Sequence, residues 1–444
     1  MVTKNQQLSI ASERAPHDTL TAVDCRGRMV AVLPNLLNTM MHIDTEHLDV
    51  LLNAGVLSGT EVNMSTRIVS DFDGGNIQVV KGSGENWDLE IQPDNAAAFF
   101  QWFHFRVDNA AGRDLRLRIV NASASSYPEG WMGYRACVSE DGITWTRART
   151  AYMDGVLTIE YKPSTVSAWF AYFVPYTTDC HRALVDCYAK LDDVEYRVLG
   201  NSLDGRSIDL LEIGSGDKQV WLYGRQHPGE TMAEWWMEGA LAYLVSSDTT
   251  AIELRSLARF HVIPNMNPDG SARGNLRTNA AGIDLNRQWL NATLDDSPEV
   301  FHVLEEMSRV GVDFAIDVHG DEAIPHVFIA GPEGIPSWSE KDAEDYQVYF
   351  DCLSRRTADF QTAHGYPKPA AGQANLAISS NLVAERFSAI SMTLEMPFKD
   401  HIEAADPELG WTPSRSKRLG QSCLEALADA AGRLWRPKAS SRAL

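Results

Sequence analysis

Tyr223-Gly-Arg-Gln-His-Pro-Gly-Glu230 closes the apolar run Gln219-Val-Trp-Leu-Tyr223 and opens Thr231-Met-Ala-Glu-Trp-Trp-Met-Glu-Gly-Ala-Leu-Ala-Tyr-Leu-Val245. The first run is short and apolar and reads as a buried strand; the second has helical length and few breakers. His227 and Glu230 therefore stand three residues apart at a strand-to-helix turn, where an imidazole and a carboxylate project to one side. Two protein ligands reach one zinc ion in this way, and a third has to come from elsewhere in the chain. The candidate is His319, at the end of a second buried run, Phe314-Ala-Ile-Asp-Val-His319. His-x-x-Glu alone is a weak signal, and standing alone it more often marks a surface turn.

Outward from this turn, strands and helices alternate. Strands are expected near 195–199, 208–213, 219–223, 259–264, 314–319, 326–330 and 390–396. Helices are expected near 180–191, 231–246, 297–309, 338–363 and 414–434. That alternation predicts an α/β domain with a mixed, mostly parallel sheet, whose ligands bind beyond the carboxyl ends of the strands. Upstream, from Arg67 to about Thr178, the pattern changes. Seven short β-prone runs, among them Phe99–Val107, Leu115–Val120 and Val166–Phe173, are separated by turns such as Asp73-Gly-Gly and Asp141-Gly. This spacing predicts an antiparallel β-sandwich, with its aromatics filling the core and no catalytic constellation.

Residues 1–64 carry no chemistry-bearing motif. They are expected to form an N-terminal extension, with Met64 standing where an alternative start would fall. The formal charge of −21 disfavours nucleic acid and anionic membranes as partners. No stretch reaches the roughly 18 apolar residues of a membrane helix, and no apolar h-region follows Lys4. The six cysteines (Cys25, Cys137, Cys180, Cys187, Cys352, Cys423) form no C-x-x-C pair and read as reduced thiols of a cytoplasmic protein.

Further candidate groups fall at or after strand ends. Asn265-Met-Asn-Pro-Asp-Gly270 follows Phe260–Pro264, and downstream come Arg277 and Gly282-Ile-Asp-Leu-Asn-Arg-Gln-Trp289. Arginines near a zinc site suit two tasks: gripping a substrate carboxylate and stabilising an oxyanion. Asn286, beside Arg287, adds a neutral donor. Asp284 is a candidate to accept the second N–H of His227, and Asp317 competes for a similar role. Glu395 sits inside the buried run Ser391–Phe398, where it suits a general base or, alternatively, an ion pair with Lys399.

Taken together, His227-Pro-Gly-Glu230, Asn267-Pro-Asp-Gly270, Arg277, Asp284-Leu-Asn-Arg287, Asp317-Val-His319 and Thr393-Leu-Glu395 resemble the M14 zinc carboxypeptidases, over roughly residues 190–400. Within these, the motifs look like the cytosolic carboxypeptidase subfamily in a bacterial-type short form. The resemblance implies an α/β chain of three parts: the extension 1–64, a β-sandwich over 65–180, and an α/β/α zinc carboxypeptidase domain over 181–437. It further implies one zinc ion per chain on His227, Glu230 and His319, with Glu395 as general base and acid. Arg277 would polarise the scissile carbonyl, Asn286 and Arg287 would hold the C-terminal carboxylate, and Asp284 would orient His227. The implied substrate is a peptide or protein C-terminal tail, with acidic glutamate ends associated with the cytosolic branch. Tyr366 is the candidate for the family's mobile tyrosine. Lys368, Arg386 and Lys399 are candidates for a basic specificity pocket. The alternatives are a related zinc deacylase or amidase acting on N-acyl amino acids, or an inactive binding protein. A homo-oligomer is compatible with the sequence.

Overall fold

The computed structural model describes residues 65–435 and two short paired strands, Thr21–Val23 and Met29–Ala31. The rest of the expected N-terminal extension, with the amphipathic pattern of Leu36, Leu37, Met40 and Met41 in its sequence, and Cys25 lie outside the described residues. The chain divides into two compact units, Met1–Asn63 and Met64–Leu444.

The centre of the larger unit is a seven-stranded sheet. Its strands run in the order Val194–Asn201, Ser207–Ile213, Ala258–Ile263, Lys218–Gly224, Phe314–Asp321, Ile390–Pro397 and Phe328–Ala330. The middle four are mutually parallel, while the two strands at one edge and the last at the other pair antiparallel. Parallel strands covered on both faces have no solvent side, which is why Phe314–Asp321 is buried along its whole length. Alternate side chains feed two cores. Val220 and Leu222 join the helices Met232–Leu244 and Pro413–Leu434, whereas Trp221 and Tyr223 join Pro298–Val310 and Ser379–Phe387.

Residues 67–171 form two five-stranded sheets. Leu115, Leu117 and Ile119 point inward along one strand, with charged residues between them. Inside, Phe105 stacks on Phe170 with ring centroids 5.4 Å apart. The expected all-antiparallel pattern is broken once: Asn86–Glu90 pairs parallel with Leu115–Ile119.

This β-rich region is fastened to the rest of the unit by buried contacts. Tyr172 stacks on Phe398 at 4.4 Å. The Arg147 guanidinium donates to the main-chain carbonyls of Phe398, Leu409 and Trp411 at 3.1, 3.0 and 3.0 Å. Asn76 donates to the carbonyl of Gly274 at 3.0 Å.

Four helices differ from expectation, among them the short Pro268–Arg273, where only a turn was expected. The helix expected over 338–363 spans only Glu340–Arg356, because the β-branched Thr357 leaves it in an extended conformation. Thr249–Leu257, capped by Asp248, and Ser379–Phe387 were not foreseen. The second begins Ser-Ser-Asn and has no side-chain cap, so its start carries no local signal.

Candidate active site

The strand Lys218–Gly224 delivers the chain to Arg225, whose φ of 57° is left-handed and strained for a non-glycine residue. Buried bonds hold it there. Its guanidinium donates to the carbonyls of Pro228 (3.0 Å) and Tyr176 (2.7 Å) and pairs with the buried Glu234. The turn that follows is pinned from both sides. Gly229 N–H donates to the Leu276 carbonyl at 2.9 Å, and Asn267 Nδ2 to the Gln226 carbonyl at 2.9 Å. The Asn-Pro-Asp-Gly segment is thus more than a turn: Asn267 caps the short helix Pro268–Arg273 and clamps the ligand loop. A Cβ on Gly270 would come within 2.4 Å of both Pro228 Cγ and the Thr278 carbonyl, so these two motifs meet only through a glycine.

His227, Glu230 and His319 are buried together, with three ligand atoms within 4.8 Å of one another. The two Nδ1 atoms lie 3.2 Å apart, and each stands 2.7 Å from a Glu230 oxygen. The far nitrogen of each ring faces an aspartate: His227 Nε2 is 3.1 Å from Asp284, and His319 Nε2 is 2.9 Å from Asp317. The donor set therefore suits zinc: two imidazoles backed by carboxylates turn their remaining nitrogens to one point beside a carboxylate. Asp284 and Asp317, competing expectations for one role, back one histidine each. Burial opposes ionisation of Asp284, but His227, Arg277 and Arg287 around it outweigh burial and hold its pKa well below the usual range. Asp317 is also gripped by Gln226 Nε2 at 2.7 Å and by the Ser379 hydroxyl.

Arg277 is bonded through Nε to Asp284 at 2.8 Å, and among the described residues its two Nη groups make no bond. Its guanidinium lies over the rings of Phe99 (5.5 Å) and Tyr127 (5.9 Å), both from the β-rich region. From the same region the buried Asp94 accepts the N–H groups of Leu276, Arg277 and Thr278 at 2.6, 2.8 and 2.9 Å, and the Thr278 hydroxyl at 3.0 Å. The β-rich region therefore shapes the site, contrary to the expectation that its aromatics serve only its own core. Asn286 accepts from Ser379 N–H at 2.9 Å, and its Nδ2 lies 3.4 Å from His319 Nε2. Arg287 is exposed, and its Nη1 donates to the Asn286 carbonyl at 2.8 Å.

Glu395 is the cross-strand neighbour of His319. The Tyr366 hydroxyl donates to its Oε1 at 3.1 Å and to Asp321 Oδ2 at 2.7 Å. Glu395 Oε2 is buried and has no hydrogen-bond partner among the described residues. Burial pushes its pKa well up; His319 pulls it down, and Glu230 and Asp321 push it up again. Glu322, two residues beyond Gly320, is also buried, and burial together with Glu230 and Asp321 raises its pKa well above the carboxylate range.

The three candidates for a basic pocket do not converge. Lys368 pairs with Glu333 at 2.8 Å on the surface. Arg386 bonds Ser308 at 3.0 Å, at the far end of the helix whose first residue bonds Asn286. Lys399 donates to the Met132 carbonyl at 3.0 Å, with its pKa lowered by burial. Sequence reading missed Asp94, Tyr127, Gln226, Glu322 and Ser379; of these, Gln226, beside His227, and Glu322, near His319, stood next to a motif.

Two histidines and one glutamate that could hold a metal ion, at the carboxyl ends of an α/β/α sheet and flanked by arginines and a buried carboxylate, have the donor arrangement of a zinc hydrolase. Residues 68–173 match the cytosolic carboxypeptidase N-terminal domain, and residues 184–322 match zinc carboxypeptidase. A Zymomonas mobilis protein is 52% identical over 367 residues, covering 82% of this chain and 97% of its own length. A metallo-carboxypeptidase from Pseudomonas aeruginosa, solved with (2-guanidinoethylmercapto)succinic acid, is 44% identical. The match covers 83% of this chain and all of that one (100%), with a TM-score of 0.81. Human cytosolic carboxypeptidase 1 is 28% identical over 59% of this chain, which spans 26% of that protein's length. The chain belongs to the M14 zinc carboxypeptidase family and is an enzyme of the metallocarboxypeptidase class. The zinc carboxypeptidase match ends at residue 322, short of Glu395. Among the described residues no helix is long and apolar enough to cross a membrane.

Proposed function

We propose that the chain hydrolyses the C-terminal peptide bond of peptides or protein tails, with one catalytic zinc ion on His227, Glu230 and His319. The observation that carries this is the buried Glu395, beside His319, with one oxygen unpartnered. Zinc supplies Lewis acidity toward a carbonyl oxygen and toward water. Glu395 takes the proton from the attacking water as the new C–O bond forms. It then gives that proton to the amine nitrogen as the C–N bond breaks. Arg277 offers its free Nη groups to the carbonyl oxygen, on which negative charge develops. Arg287 and Asn286 hold the terminal carboxylate, the guanidinium by a charge-assisted fork. Asp284 keeps His227 in the tautomer that binds metal.

Which terminal residue is removed is a finer proposal. Likeness to the cytosolic branch favours glutamate, with Lys399 as the available cation. The buried Asp321 favours a basic end instead, as does the guanidinium of the ligand bound by the Pseudomonas relative. Both readings are tested by release from peptides ending in Glu, Asp, Lys, Arg, Phe or Leu. Each is offered with a free and an amidated C-terminus, alongside N-acetyl amino acids, with and without chelator. We expect chelator-sensitive release that requires a free carboxylate, and the preferred end decides between Glu and Lys. Turnover of N-acetyl amino acids with every peptide left intact would instead make the chain a deacylase.

A further inference from the structure

We propose that His326, His401 and Glu403 form a second divalent-metal site, for an ion of the zinc type, separate from the centre on His227. Their candidate ligand atoms lie within 4.8 Å of one another. His326 Nδ1 is 2.7 Å and His401 Nδ1 3.1 Å from the same Glu403 oxygen, Oε2. The His326 and His401 rings stand nearly perpendicular, at 82° with centroids 5.7 Å apart.

The second ring identifies the chemistry. His401 is fully buried, and its Nε2 faces the main-chain carbonyl of Asp359, which only accepts. The proton of a neutral imidazole is therefore fixed on Nε2, and Nδ1 presents a lone pair. That Nδ1 is buried and has no hydrogen-bond partner among the described residues. A histidine tied through one nitrogen to a carbonyl, with its other nitrogen buried, unbonded and 3.1 Å from a carboxylate oxygen, has the arrangement of a metal ligand. Two imidazoles and one carboxylate suit zinc or a neighbouring borderline ion better than calcium or magnesium, which take oxygen ligands. The competing arrangement is a doubly protonated His401 pairing with Glu403.

The site would join segments distant in sequence. Ile402 N–H already donates to the Pro325 carbonyl at 3.1 Å. The His364 ring stacks on His326 at 4.4 Å. Two residues on, Tyr366 packs edge-on against Phe328 at 4.9 Å and bonds Glu395. An ion on His326, His401 and Glu403 would thus brace the segment that presents Tyr366 to the catalytic carboxylate.

The test is the zinc content of the full chain after dialysis against zinc, read by mass spectrometry. It needs no activity and does not depend on the catalytic reading. Two equivalents are expected for the native chain, and one each for His326→Ala and for Glu403→Ala. Glu403 is exposed, so its variant guards against a folding failure at the buried histidine. The His227→Ala chain, lacking the first centre, is expected to keep one equivalent and to gain thermal stability on addition of zinc. One equivalent in the native chain that His227→Ala loses, or two retained in both Glu403→Ala and His326→Ala, would overturn the proposal; one equivalent that His227→Ala keeps and Glu403→Ala loses would uphold it and leave the first centre empty.

Discussion

The two halves of the candidate site are built on opposite principles. In the ligand half, His227, Glu230 and His319 are buried, and an aspartate faces the outer nitrogen of each histidine. In the substrate half, Glu395 has a bare buried oxygen, Arg277 has both Nη groups free among the described residues, Arg287 is exposed, and Tyr366 is 46% exposed. Buried polar groups are normally paired, and unpaired ones cost stability. On the proposed reading, the ligand half is assembled by folding, while the substrate half keeps donors and acceptors for a substrate.

The comparison predicts a graded response to damage. His319→Ala removes a ligand and leaves Asp317 facing a hole. Activity should fall by about 10⁴-fold or more, with metal content falling in parallel by mass spectrometry. Arg277→Ala leaves the ligands intact. It should cost about 10²–10³-fold in kcat with zinc retained; loss of zinc would place Arg277 in the ligand half instead. Asp94→Asn puts an amide where three N–H groups donate. A shift of the Arg277 loop should lower kcat/KM by about 10-fold, the scale of an outer-shell change. An unchanged value would show that the β-rich region does not position Arg277.

The smallest effect lies behind the ligand loop. His181 stands 2.7 Å from Glu234 and 2.9 Å from Asp209. Burial alone would lower its pKa, but the two carboxylates raise it from 6.5 to about 9. A pKa raised on folding stabilises the fold fully below the unfolded value and ceases to do so as pH rises through the folded one. The contribution, about 3 kcal/mol at most, is therefore present below pH 6.5 and lost through pH 9. The melting temperatures of native chain and His181→Gln should differ most at pH 6 and converge by about pH 10; a constant gap would contradict the assignment.

The same contrast explains what could be read from the sequence. The grouping of His227, Glu230 and His319 was legible because the first two lie on one turn, and His319 ends a short apolar run that reads as a buried strand. Arg277, Asn286 and Arg287 were singled out downstream of a strand end and Glu395 as an ionisable residue inside a buried strand, and the family resemblance supplied the roles proposed for them. Asp94 was illegible because its bonds cross more than 180 positions to Leu276, Arg277 and Thr278, and a lone aspartate before a turn has an ordinary local explanation. The Ser379–Phe387 helix was hidden by its poor helix formers, yet its first residue bonds both Asn286 and Asp317. Arg386 was misread because a helix separates it from the carboxyl ends of the strands, a distance that sequence proximity to Glu395 conceals.

The central claim is that Glu395 moves the proton while three other residues hold the metal. Glu395→Gln keeps size and shape and removes only that capacity. Measured on the best peptide of the panel, with zinc quantified in the same sample, the variant should lose about 10²–10⁴-fold in kcat while binding as much zinc as the native chain. Activity within a few-fold of native, at full zinc occupancy, would contradict the account and move the proton to another group, with Glu322 next to be tested.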